Sequence, residues 1–350
     1  MAERFTPVAP LTVFPITDRG LALARRLEKK YRDVVIHRPA ALKDGRLKHE
    51  VKAAFKGSRA LLFISASGIA VRAIAPLLKG KHLDPAIVLM DEKGRFAVSL
   101  LSGHMGGANR LTKELASFFN ATPVITTATD ISNLPSIEDV CEKFALKIEN
   151  PEAIKRINSE ILKGNKAVIV DRYLGRRWRI KAAYGRHYIL RASFPKDTRK
   201  AVAIISDKLL RPADRRRALV LRPREFVVGI GCKKGVGEKE IEAGIRKMME
   251  GAGVSLLSIR NLATIDIKRH EKGLLDYAKK AGLPIDFYSA GELNKIKPPS
   301  GVSRFVKENT GAAGVCENAA LLSSGGKRLW RRKKRLGKIT IALARAGYTS

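Results

Sequence analysis

Short apolar runs alternate with amphipathic stretches along most of the chain. Residues 11–16 (LTVFPI) and 34–36 (VVI) read as strands around a helix at 20–31. Ala60 to Ser65 (ALLFIS) is a continuous apolar run, the mark of a strand covered on both faces. Ser67-Gly68 turns the chain, and Ile69 to Leu78 reads as a helix. Ala86 to Met90 is the next strand. A D-E-K-G turn leads into Phe96 to Leu101. A glycine cluster precedes a helix from Ala108 to Phe119, and Pro123 to Thr127 is again strand-like. The S-I-E-D segment at 136–139 predicts a capping-box start for a helix to Leu146. The pattern resumes at Phe226. A strand at Val227–Gly231 is followed by a helix from Glu238 to Glu250. Helices at 272–281, 290–296 and 316–324 and strands at 284–289 and 338–343 complete it.

Residues 151–225 differ in texture. Arginine and lysine crowd them, and the alternation predicts strands at Ala167–Val170, Trp178–Lys181 and Tyr188–Arg191. Strands alternating with helices predict α/β layers. The expected fold is α/β, with two open, mainly parallel α/β domains at 1–147 and 226–350. A small, basic, β-rich middle segment at 148–225 lies between them.

Composition narrows the class. The chain has 350 residues, of which 45% are apolar, enough for a large core. Its three cysteines, Cys141, Cys232 and Cys316, show no CxxC spacing, so neither a disulfide framework nor a zinc or iron–sulfur site is expected. No apolar run approaches the roughly 20 residues that span a bilayer, and the N-terminus lacks a signal pattern. A reduced cytoplasmic protein without membrane contact is expected. The net charge is +35 and the pI is near 10.4. Such a surface draws anions, whether nucleic acid, anionic membrane or polycarboxylate, and charge alone does not choose among them.

Several segments carry candidate chemistry. Ser99 to Asn109 (SLLSGHMGGAN) lies at a strand-to-helix junction. Gly103, Gly106 and Gly107 allow a sharp turn and a close backbone approach. The first N–H groups of the following helix suit a carboxylate or a developing oxyanion. His104 can take or give a proton near neutral pH. Asn109 can fix a substrate amide or carboxylate. In Ser65 to Arg72 (SASGIAVR), Ser67 and Gly68 form a turn, and Arg72 can clamp a carboxylate bidentately. Thr126, Thr127, Thr129 and Asp130 make a polar wall after a strand, where ligands of open α/β sheets bind. The glycine-rich and threonine-rich segments are equally consistent with an ordinary connection or capping loop, and Arg72 taken alone reads more readily as a surface arginine.

The C-terminal part offers Gly229 to Gly235 (GIGCKKG). Its GxGxxxG spacing departs from the dinucleotide fingerprint. Gly231 and Lys233 flank Cys232. A thiol near a helix start beside Lys233 and Lys234 predicts a lowered pKa and a candidate nucleophile, although a small apolar residue at a strand end is the commoner use. Lys268 and Glu271 in TIDIKRHEKG, and Glu317 after Cys316, can face a cleft or solvent.

Together, the segment from SASGIAVR through SGHMGGAN to VITTATD resembles the N-terminal domain of the CbiG family, the cobalt-precorrin-5A hydrolases of anaerobic cobalamin biosynthesis. VVGIGCKKG, TIDIKRHEKGLL, DFYSAGEL and GVCENAALL resemble its second domain. The likeness covers about residues 10–146 and 226–345. It implies a hydrolase that opens the lactone joining the ring A acetate to C20 of a cobalt tetrapyrrole and expels C20 with its methyl group as acetaldehyde. It carries over Gly68, Arg72, Asp84, Pro85, Gly103, His104, Gly106, Gly107, Asn109, Thr126, Thr127 and Asp130. In the second domain it carries over Gly229, Gly231, Cys232, Gly235, Lys268, Glu271, Gly314 and Glu317. His104 is the expected general base, Asp130 its orienting partner, and Arg72 and Asn109 hold carboxylate arms. No cofactor and no protein-held metal are implied, because cobalt arrives with the anionic substrate. Transient contact with neighbouring precorrin methyltransferases is the protein contact it suggests. A non-catalytic tetrapyrrole carrier shares every binding feature and lacks only turnover. A nucleic-acid binder fits the charge but has no recognition motif.

Overall fold

The computed structural model describes residues 3–5, 10–31, 33–42, 45–80, 83–103, 106–126, 134–195, 200–326 and 328–347. The chain divides into two compact units, one of residues 8–139 and one of residues 140–350 together with residues 1–7. The first strand, β1 (Glu3–Phe5), belongs to the second of these.

The unit of residues 8–139 follows the alternation closely. Its elements are β2 (Leu11–Pro15), α1 (Asp18–Arg25), β3 (Val34–Ile36), α2 (Arg46–Gly57), β4 (Ala60–Ile64), α3 (Ser67–Ile74), β5 (Ala86–Met90), β6 (Phe96–Leu101), α4 (Ala108–Phe119) and β7 (Thr122–Val124). The strand order is β3-β2-β4-β5-β6-β7. β3, β2, β4 and β5 are parallel, β6 is antiparallel to β5, and β7 is parallel to β6. Successive side chains of a strand point to opposite faces. Leu62, Ile64, Val88 and Met90 therefore pack with Leu111 and Leu115 of α4, while Leu61, Phe63 and Ile87 pack with Val51 and Ile74 on the other face. This two-sided burial is why ALLFI contains no polar residue. The last strand is shorter than expected and leaves Thr126 beyond it.

The capping box predicted at Ser136 forms. Its hydroxyl accepts from the Asp139 N–H, and the Asp139 carboxylate accepts from the Ser136 N–H, at the start of α5 (Ile137–Lys143). The middle stretch follows with β8 (Leu146–Ile148), α6 (Ile154–Leu162), β9 (Ala167–Asp171), α7 (Leu174–Tyr184), β10 (Tyr188–Arg191), β11 (Val202–Ile205), α8 (Pro212–Arg217) and β12 (Leu219–Pro223). These strands form a sheet of order β10-β9-β11-β12-β8, parallel except at β8. The strand expected at Trp178–Lys181 is instead part of α7. Arg176 and Ile180, four residues apart, are buried, whereas Trp178 is 63% exposed. A four-residue alternation looked like a period of two, and the helical period needs a longer window to show.

The C-terminal elements are β13 (Phe226–Cys232), α9 (Glu238–Gly251), β14 (Ile259–Ile265), α10 (Lys272–Ala281), β15 (Ile285–Tyr288), α11 (Ala290–Leu293), α12 (Arg304–Thr310), α13 (Cys316–Ser324), β16 (Leu329–Leu336) and β17 (Ile339–Arg345). The sheet runs β1-β15-β14-β13-β17-β16, with β13, β14 and β15 parallel. The basic run of Arg331 to Arg335 lies on edge strand β16. Like charges on an edge discourage pairing with another sheet.

Candidate active-site loops

In the first unit the glycine cluster is a self-bonded loop between β6 and α4. Asn109 donates its backbone N–H to the Gly103 carbonyl at 2.9 Å, and Ala108 donates to Ser102 at 3.2 Å. The Asn109 Oδ1 accepts the Ser99 hydroxyl at 2.6 Å. A Cβ on Gly103 would stand 2.6 Å from that Oδ1, and one on Gly106 would stand 2.4 Å from the Ser102 Cβ. Gly107 has φ +84°, a backbone region that side chains disfavour. The glycines are therefore fixed by packing as well as by turning.

Two expectations change here. Asn109 is only 6% exposed and its Oδ1 accepts the Ser99 hydroxyl, so that oxygen ties α4 to β6 and is not offered to a substrate. The Ala108 and Asn109 N–H groups, expected to hold an oxyanion, already donate back to the loop's own carbonyls. His104, Thr127, Thr129 and Asp130 lie outside the described residues. Ser102, which sequence reasoning passed over, has φ +58° and a buried hydroxyl with no partner among the described residues. Its only sequence signal was a place just before the glycines. Asp84, two residues before β5, accepts the N–H groups of Lys79 and Gly80, and the Ala86 N that opens β5 would stand 3.3 Å from a Cβ on Gly106.

The strand directions sort the remaining residues. β7 runs with β6, so Thr126 emerges at the same sheet edge as Gly103, Gly106 and Gly107. β4 runs with β5 and against β6, so Ser67, Gly68 and Arg72 sit at the opposite edge. The Arg72 guanidinium folds back to within 3.2 Å of a Cβ placed on Gly68. Five residues of β4 separate the edges, roughly 16 Å at about 3.3 Å per residue. Arg72 and the glycine loop are not parts of one small pocket.

The C-terminal candidates do converge. Gly231 and Cys232 end β13, Lys268 and Glu271 follow β14, and α13 starts against β13. A Cβ on Gly229 would fall 1.8 Å from the Cys316 carbonyl oxygen, so only glycine admits the helix there. The turn Lys233-Lys234-Gly235 is closed by Glu271. That carboxylate accepts the Gly235 N–H at 2.7 Å and the Lys268 ammonium at 2.9 Å. Burial would raise the Glu271 pKa, but the Gly235 N–H and Lys268 outweigh it and hold the carboxyl below its ordinary value. Lys233 and Lys234 stay exposed.

Cys232 does not have the predicted environment. It ends a strand, and the next helix starts only at Glu238. Burial pushes its thiol above the ordinary cysteine value. Lys268 pulls down by less, and Glu271 pushes with the burial. The lowered pKa expected of an activated nucleophile is absent. Cys316 is buried and pushed up to about 12, by burial first and then by Glu317. Glu317 itself is 2% exposed and accepts from Ser300 N and Oγ and from Lys333 N. It pins a loop and β16 to α13, and its carboxylate is taken. Among the described residues no three His, Cys, Asp or Glu side chains gather to hold a metal ion. No described helix is long and apolar enough to cross a membrane.

Open sheets whose strand ends carry tight glycine loops place the protein among open-sheet α/β proteins. Comparison with known proteins refines this. The family profile Cobalamin synthesis G N-terminal matches residues 49–130, and Cobalamin synthesis G C-terminus matches residues 226–344. The cobalt-precorrin-5A hydrolase of Priestia megaterium is 30% identical over 97% of this chain and 97% of its own length. That of Salmonella typhimurium is 29% identical over 95% and 97%. A solved cobalamin biosynthesis protein G homolog from Sulfolobus solfataricus is 25% identical, covers 98% of this chain and 99% of its own, and has a TM-score of 0.39. The chain belongs to the cobalamin synthesis G (CbiG) family, as its motifs predicted.

Proposed function

We propose that the protein is the hydrolase acting on cobalt-precorrin-5A in anaerobic cobalamin biosynthesis. Water adds to the ring A acetate carbonyl of the δ-lactone, and the C20 oxygen leaves as an alkoxide. That alkoxide collapses to a carbonyl, the bond from C20 to the macrocycle breaks, and the electron pair stays on the macrocycle. Acetaldehyde departs and cobalt-precorrin-5B remains. The observation that carries this reading is the end-to-end likeness to relatives of that name, over 97% of both chains in one case.

The loop between β6 and α4 supports a role for His104. Its flanks are held by the Asn109–Gly103 and Ala108–Ser102 bonds. A base there would take the proton from the attacking water. Cobalt is part of the substrate, so the chain's own task is to bind carboxylate arms, place water and move a proton. In the C-terminal unit, taken by itself, Lys233 and Lys234 are exposed cations on the turn clamped by Glu271, and such groups suit carboxylates. The test is turnover by His104→Ala. At least a hundredfold loss of acetaldehyde release with retained pigment binding is expected, and near-normal turnover would remove the histidine from the mechanism.

A further inference from the structure

The middle sheet carries a cavity lined by none of the candidate site residues. It has about 730 Å³ and opens at the amino ends of β11 and β12, between α6 and α8. That volume lies within the roughly 300–1,000 Å³ of small-molecule sites. It falls between residues 130 and 226, outside both matched regions of the family. Its floor is apolar, formed by Ile157, Val202, Ala218 and Leu219. Its polar lining is lopsided, with Arg156, Arg215, Arg216 and Arg217 against the single carboxylate of Glu152.

The arginines are mounted on fixed backbone. The Asn150 amide donates to the carbonyls of Arg215 and Ala218 and accepts the Val220 N–H at 2.7 Å. Arg215 pairs with Glu149 at 3.0 Å, and the Arg217 guanidinium stands 5.9 Å from the Phe194 ring. Arg156 donates to the Lys200 carbonyl. Arg216 is exposed and has no acidic partner among the described residues. Cations gathered around a concave, low-dielectric wall focus the field on an incoming anion. Guanidinium forks match carboxylate and phosphate oxygens two at a time.

We propose that this cavity is a binding site for an organic polyanion, an apolar body bearing two or more carboxylates or phosphates. The apolar floor takes the body and the arginine rim takes the charges. None of the residues of the loops that follow β6 and β13 is among those that line it.

The test uses the full-length protein and calorimetric titration at physiological ionic strength. The probes are uroporphyrin, a polycarboxylate macrocycle, ATP, and citrate, which has the charge without the apolar body. Uroporphyrin or ATP is expected to show a saturable component, with citrate weaker. Whichever of the two binds more tightly names the source as carboxylate or phosphate. Arg156→Glu/Arg216→Glu should weaken that component at least about tenfold, since each lost charge-assisted bond is worth about a factor of ten. Arg332→Glu/Lys334→Glu makes the same charge change on exposed β16 and should alter it less than about twofold. Ala153→Phe, which fills the cavity without changing charge, should also remove it. Equal weakening by both charge variants would show attraction by net charge alone and overturn the site. Absence of a saturable component with every probe, or an unchanged component in Ala153→Phe, would overturn it as well.

Discussion

Single side chains decide much of the chemistry at the end of β13. Glu271 holds the Lys233–Gly235 turn and Lys268 at once. Glu271→Gln should cost about 2–3 kcal/mol at neutral pH, because it leaves a mostly buried ammonium without its counter-charge. The sign with pH follows from a folded-state pKa below the ordinary glutamate value. Such a group stabilises the fold above its unfolded pKa, and the contribution fades as pH falls through the folded value. Urea denaturation should therefore separate wild type from the variant at pH 7 and bring them together in strong acid. A gap that is constant across that range would contradict the assignment. Cys232→Ala should keep turnover within about threefold, because a thiol raised by burial is a poor thiolate source. Sequence showed the lysines beside Cys232 and thereby suggested activation. Burial by the sheet, which reverses the shift, is a tertiary effect that no local spacing records. Asn109 differs from expectation for the same reason, since its residue type names an available amide and only the fold buries it and gives its Oδ1 to the Ser99 hydroxyl.

Elements were more legible than their boundaries. ALLFI, AIVLM and FVVGIG were plain as strands because both of their faces are covered and every position is apolar. Trp178 to Lys181 misled because four residues fit either period. Edges were not legible at all. Whether Arg72 and the glycine loop share a sheet end depends on the antiparallel turn of β6 against β5, and nothing local encodes that direction. The packing of α13 on β13 gives a sharp test. Gly229→Ala would set a methyl 1.8 Å from the Cys316 carbonyl, so α13 must move. About 3 kcal/mol of lost stability is expected by chemical denaturation. Gly237→Ala, at the N-cap of α9 with ordinary φ and nothing within 4 Å, should cost no more than about 1 kcal/mol. Equal effects from the two would contradict the docking described.

At the scale of the whole chain, buried ion pairs tie the middle sheet to the C-terminal one. Asp171 at the end of β9 and Glu225 before β13 share Arg176, and Glu225 also accepts Arg345 from the end of β17. Glu225→Gln would take one of two acidic partners from each of Arg176, which keeps Asp171, and Arg345, which keeps Asp207, and should cost about 1–3 kcal/mol. Glu308→Gln, in an exposed pair with Arg304, should not move the transition. Thermal unfolding of the two variants checks this, and a silent Glu225→Gln would sink it. The reaction itself can be measured directly. Purified protein incubated anaerobically with cobalt-precorrin-5A, beside a heat-killed control, should release acetaldehyde in step with loss of a two-carbon fragment from the macrocycle. Pigment that binds and stays intact, with no acetaldehyde above the control, would contradict the hydrolase and leave a carrier in its place.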